Sequence, residues 1–285
     1  MMYPCVPWHR KLSRILAPVL GSLLTMAVAG AQPHSAENEV QLLRAKIRDA
    51  PLDASAWKNY GLALLRGNSP QGAASALATS CRLAPDEIDA CYLSGRVLLS
   101  LDRYEEAAAA LEQSLQGASA SRPASAHRLA ALSAIGLHEP QRAETHFQRA
   151  VTLWRGPDDG SDPRIDYAGL LYRSGRLAPA EEMLLAAIKQ APASPSALAL
   201  LGRVRIHLAA PEGALQPLRD AIALAPCEWD YRLLLGRALL AAGNVEEGTE
   251  QMRLGREGWE STAPGPGPSD RNAPAPNAAP CPAAK

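Results

Sequence analysis

A chain of 285 residues with 47% apolar side chains can bury a sizeable core, and its formal charge of zero offers no basic excess for a phosphate backbone. Aromatic residues make up only 5%, while Ala, Leu and Arg are abundant, a composition that favours helices. No alternating Val, Ile, Thr or Tyr runs bounded by hairpin turns point to strands, so a sheet protein and a nucleic-acid binder are both set aside.

The amino terminus reads as an export signal, residues 1–31. Arg10, Lys11 and Arg14 form a positive segment, an apolar stretch over 15–29 follows, and Ala29, Gly30 and Ala31 make a small-residue site with cleavage expected after Ala31. The stretch holds Pro18 and Gly21 and falls short of the roughly 20 apolar residues of a spanning helix. Periplasmic export is the expectation, with an uncleaved inner-membrane anchor as the alternative. Cleavage would leave 26 basic against 29 acidic residues.

Glu37 to Asp49 is predicted as a single capping helix within residues 32–53. Six segments of 34 residues then repeat, at 54–87, 88–121, 124–157, 161–194, 195–228 and 229–262. The eighth position of each is small: Gly61, Gly95, Ala131, Ala168, Gly202 and Gly236. So is the twentieth: Ala73, Ala107, Ala143, Ala180, Ala214 and Gly248. The twenty-seventh holds only Ser, Ala or Gly, while the twenty-fourth is large and apolar: Leu77, Leu111, Phe147, Leu184, Leu218 and Met252. Small residues let two antiparallel helices approach at their crossing, and one bulky residue fills the gap beside it. Gly67-Asn68, Leu101-Asp102, Ser174-Gly175 and Gly243-Asn244 supply turns inside the pairs, and Pro85, Pro192 and Pro226 end second helices. The closing stretch, 263–285, is mostly Pro, Ala, Gly and Asn and is expected to be a disordered tail.

These residues resemble the tetratricopeptide repeat family over six copies, 204 of the 285 residues. The resemblance implies an all-α fold: a right-handed superhelical solenoid of helix-turn-helix repeats with an N-terminal capping helix. It implies a scaffold or adaptor that binds protein or peptide, with no enzymatic activity and no cofactor. First helices of such repeats line a concave groove, which here would present Lys58, Arg66, Tyr92, Arg96, Arg128, Tyr172, Arg173, Arg203, His207 and Arg237. Arg and Lys interleaved with apolar residues suit an acidic peptide with apolar anchors; alternatively these arginines pair with carboxylates on adjacent helices. With an export signal, the partner is expected in envelope assembly or secretion. The stretch from Val40 to Leu65 is also similar to periplasmic tetratricopeptide modules of c-type cytochrome maturation, which present apocytochrome.

Catalytic patterns are missing. The six His are not at metal-ligand spacing, no phosphate-binding or nucleophile-elbow motif occurs, and Asp158-Asp159-Gly160-Ser161-Asp162 lacks the Glu of a calcium loop. Glu105-Glu106, Glu181-Glu182 and Glu246-Glu247 recur at the start of second helices, where the helix dipole favours them. Cys81 and Cys91 fall on consecutive helices and are either bridged or small buried residues.

Overall fold

Proline fixes where many of these helices begin, because its missing N–H is no loss in the first turn. In the computed structural model, which describes residues 33–85, 88–116, 123–156 and 161–262, Pro70, Pro123, Pro140, Pro163, Pro195 and Pro211 each open a helix. The export signal, its cleavage site and the Pro/Ala-rich tail lie outside the described residues. So do Asp158, Asp159 and Gly160.

Thirteen helices and no strands occur among the described residues. In order they are α1 (Pro33–Asp49), α2 (Ala54–Arg66), α3 (Pro70–Leu83), α4 (Ile88–Ser100), α5 (Tyr104–Gln116), α6 (Pro123–Gly136) and α7 (Pro140–Leu153). There follow α8 (Pro163–Arg173), α9 (Leu177–Gln190), α10 (Pro195–His207), α11 (Pro211–Leu224), α12 (Trp229–Ala241) and α13 (Val245–Thr262). The capping helix starts at Pro33, one turn before the expected Glu37, and the fourth repeat's first helix starts at Pro163, two residues after the expected Ser161. None of the helices among the described residues is long and apolar enough to cross a membrane. The helices divide into two compact units, α1 to α7 and α8 to α13.

Both units are built by the same rule. In the first, Leu77, Leu111 and Phe147 are fully buried; in the second, Leu184 and Leu218 are. Helix crossings close on the small positions: a Cβ added to Gly95 would stand 2.5 Å from Leu111 Cγ, and one added to Gly202 equally close to Leu218 Cγ. Ser80 Oγ donates to the Ala54 carbonyl at 2.8 Å and ties the end of α3 to the start of α2. Within each pair the turn reverses through one left-handed residue at the fifteenth position: Asn68, Asp102, His138, Gly175, Ala209 and Gly243.

The first unit begins with a secured end. Asp53 caps α2 by accepting the Ala56 N–H at 3.0 Å, which holds its carboxyl below the usual range, and the Trp57 indole donates to the Pro51 carbonyl at 2.9 Å. Further along, the sulfurs of Cys81 and Cys91 are bonded, joining α3 to α4 across a Cα–Cα distance of 4.8 Å.

Candidate functional site

Within each unit first helices of neighbouring pairs pack together, α4 with α6 and α10 with α12, so residues at equivalent positions of those helices share a face. In the second unit α10 packs on α12, and the rings of Tyr172 on α8 and His207 on α10 meet edge to face with centroids 5.2 Å apart. His207 Nδ1 lies 3.0 Å from the Arg203 carbonyl, which can only accept, so Nδ1 carries the proton and Nε2 is left to accept. The Tyr172 hydroxyl stands 3.4 Å from Nε2. This face therefore carries Tyr172 and Arg173 from α8, Arg203 and His207 from α10, and Arg237 from α12.

Arg173, Arg203 and Arg237 are exposed, and none forms an ion pair among the described residues. The nearest tuned group is Tyr231, whose phenol is pushed up to about 12 by burial first and then by Glu228 and Asp230, with Arg203 opposing. Asp230 itself accepts the Trp259 indole N–H at 3.2 Å, which gives that carboxylate a structural task.

Several arginines away from this face are paired. Arg205, on the neighbouring stripe of α10, donates to Glu181 at 2.7 Å and to the Gly213 carbonyl at 2.7 Å. Arg219 reaches Glu247 at 3.0 Å, and Arg253 is held between Glu250 and Glu257. In the first unit Arg103 pairs with Glu106, and Arg142 with both Glu112 and Glu139. Each recurrent Glu pair thus lends one carboxylate, Glu106, Glu181 or Glu247, to an arginine. Ion pairing accompanies whatever the helix dipole contributes there.

The first unit offers a second face, on α2, α4 and α6. Tyr92 packs with Leu99 and Leu132 against Leu111, Leu129 and Ala130. Arg96 beside it is exposed and forms no ion pair among the described residues. Arg66 is tied to Glu39 of the capping helix at 2.5 Å, and Lys58 and Arg128 are half-buried and engaged by other groups of the protein. Of the arginines placed in the groove by sequence, Arg96, Arg173, Arg203 and Arg237 form no ion pair among the described residues.

Two groupings escaped the sequence. His127 and His146, read separately, meet between α6 and α7 with Nδ1 atoms 3.0 Å apart. Arg232 is only 6% exposed, donates to Gln251 at 3.1 Å, and has its Nε unsatisfied. Both pairs occupy the fourth and twenty-third repeat positions, a register that would have flagged them. No group of three or more His, Cys, Asp or Glu suited to a metal occurs among the described residues.

Two family models, each described as a tetratricopeptide repeat, match the sequence, one over residues 134–204 and the other over 27–88 and 92–160. No curated protein matches significantly. Among solved structures, YrrB, described as a tetratricopeptide repeat protein with an unusual peptide-binding site, is 22% identical with a TM-score of 0.53; the match covers 72% of this chain and 99% of that one. PilW, a type IV pilus biogenesis factor, is 16% identical with a TM-score of 0.59 over 70% of this chain and 90% of its own. A tetratricopeptide repeat protein from Parabacteroides merdae is 15% identical with a TM-score of 0.58, covering 79% and 87%.

Proposed function

Because this chain belongs to the tetratricopeptide repeat family, we propose that it is an exported scaffold that holds an acidic, partly apolar peptide segment of an envelope-assembly or secretion protein. The observation that carries this reading is the set of exposed arginines that form no ion pair among the described residues, Arg96 on one unit and Arg173, Arg203 and Arg237 on the other. Several arginines elsewhere on these helices, among them Arg103, Arg142, Arg205, Arg219 and Arg253, are paired with carboxylates of the chain. Those on the first-helix faces leave their guanidinium donors to an outside acceptor. Tyr172 and the Tyr92 cluster supply flat apolar contact beside them, as peptide anchors require. That YrrB is described as having a peptide-binding site agrees with this use of the fold. The positive segment at Arg10, Lys11 and Arg14, followed by the apolar stretch, supports export to the periplasm.

The test is direct binding. A labelled peptide of alternating Glu and Leu is titrated by fluorescence anisotropy against residues 32–285 and against the Arg203→Ala/Arg237→Ala variant. Two exposed charge contacts contribute about 1–2 kcal/mol together, so the variant should bind about 5- to 30-fold more weakly. Raising the salt concentration should narrow that difference. Equal affinity for both proteins would sink the reading, and preference for an apocytochrome peptide without acidic residues would move it to cytochrome maturation. Export is checked by mass spectrometry of the periplasmic fraction, where the chain should begin at Gln32.

A further inference from the structure

The third hairpin of the first unit holds a contact that no peptide face uses. His127 stands on α6 and His146 on α7, and their rings lie 5.3 Å apart between centroids with planes tilted by 42°. Both rings are half-buried, and the facing atoms are the two Nδ1 nitrogens at 3.0 Å. An ordinary hydrogen bond between neutral imidazoles accounts for that distance. So does another arrangement. Two imidazole nitrogens each about 2.0–2.1 Å from one cation sit about 2.9 Å apart at right angles and about 3.3 Å apart in a tetrahedron. The observed separation is close to the right-angled value, which belongs to square-planar and tetragonal ions.

We propose that His127 and His146 form a cross-hairpin chelate for a divalent late transition-metal ion, with Cu(II) preferred over Ni(II) and Zn(II). In the metal-free protein one Nδ1 must donate to the other. On binding, that proton passes through solvent to Nε2 of its own ring, so both Nδ1 lone pairs face the ion and both imidazoles stay neutral. Nothing is oxidised and no proton is released. Burial first, then the charges of His146 and Arg149 on His127 and of Arg142 on His146, keep these rings unprotonated against a smaller opposing pull from Glu112 on His146; the same burial and arginine charges oppose a bound cation, so the two nitrogen bonds must outweigh them. The Arg142 charge is in turn balanced by Glu112 and Glu139. Water completes the coordination, since no third protein ligand is gathered at the pair among the described residues.

The experiment titrates Cu(II) into the tag-free full chain by calorimetry and records electron paramagnetic resonance at one equivalent. His127→Asn and His146→Asn are measured beside it. His138→Asn is the control, because His138 lies in a turn at φ 60°, which Asn tolerates. The expected result is one site with two nitrogen couplings, weakened at least about tenfold by either ligand substitution and unchanged by the control. The site should also raise the melting temperature of the unsubstituted protein and not that of the two variants. Equal binding by all four proteins, or no binding at all, overturns the proposal. Where a variant loses its helical circular dichroism, the unsubstituted protein decides: two nitrogen couplings support the chelate, and fewer overturn it.

Discussion

Alanine should act in opposite directions at two glycines of one hairpin, Gly202 and Gly213. A Cβ at Gly202 would meet Leu218 Cγ at 2.5 Å, Cδ2 at 2.7 Å and Cδ1 at 2.9 Å. Leu218 is 0% exposed, so its side chain has nowhere to swing. A Cβ at Gly213 meets nothing nearer than the Arg205 side chain at 3.5 Å, an ordinary contact. In a helix interior the change from Gly to Ala gains about 1 kcal/mol. At Gly213 that gain stands alone. At Gly202 the methyl must be forced into a close-packed crossing, which costs about 1–3 kcal/mol, and several overlaps at once place it at the upper end. The net expectation is a loss of about 1–2 kcal/mol for Gly202→Ala against a gain of about 1 kcal/mol for Gly213→Ala. Urea midpoints followed by circular dichroism give both, with the m-value checking that the transition keeps its character, since repeat arrays need not unfold in one step. Adding Leu218→Ala closes a cycle. Alone it costs about 2–5 kcal/mol, and with Gly202→Ala the pair should cost about 2–3 kcal/mol less than the sum, because the overlap has gone. A higher midpoint for Gly202→Ala, or an additive pair, would refute the packing account.

Two further outcomes follow from the turns and the histidines. Ala209 is held at φ 55°, where a Cβ costs about 1–2 kcal/mol, so Ala209→Gly should raise the urea midpoint by about 1 kcal/mol; a lower midpoint would show that the left-handed turn is not strained. In chelator-treated protein, stability should fall as pH drops from about 6.5 towards 4 and stay flat above, because His127 titrates at about 4 when folded and at 6.5 when unfolded. Between those values the unfolded chain takes up a proton that the folded one refuses, because burial first, then His146 and Arg149, disfavour the charged ring, while Arg142 and Glu112 act in opposite directions on His146 beside it. After allowing for solvent screening of a half-exposed ring the loss is about 1–2 kcal/mol, and a His127→Leu variant with the same pH profile would refute the assignment.

The helices were legible because their spacing is a packing requirement repeated six times, and each copy checks the others. Gly95 and Gly202 announce themselves as crossings, and Leu111 and Leu218 as the residues that fill them. Boundaries were less legible where proline competed with the repeat count, as at Pro163, whose fixed φ starts α8 after the nominal first position. The basic faces were legible only in part. Repeat position says which arginines share a face, but not which are neutralised from elsewhere. Arg66 is engaged by Glu39 of the capping helix, 27 residues away, and Arg205 by Glu181, 24 residues away; both separations depend on how hairpins stack.

The fourth and twenty-third positions carry the most pointed departure from what the fold alone rewards. In the third copy they bring two imidazoles together at 3.0 Å, and in the sixth they bury Arg232 against Gln251 with its Nε unsatisfied. A guanidinium 6% exposed, whose pKa is lowered by burial and which forms no ion pair among the described residues, is a poor way to fill a helix–helix gap that a large apolar residue would fill at lower cost. The same holds for a pair of half-buried imidazoles that must stay unprotonated. Folding physics accounts for the small and large positions of every repeat, so polar groups retained at a packing position call for another reason. For His127 and His146, whose Nδ1 atoms lie 3.0 Å apart, the proposed chelate would supply that reason, which makes the third hairpin, rather than a generic groove residue, the place to test it.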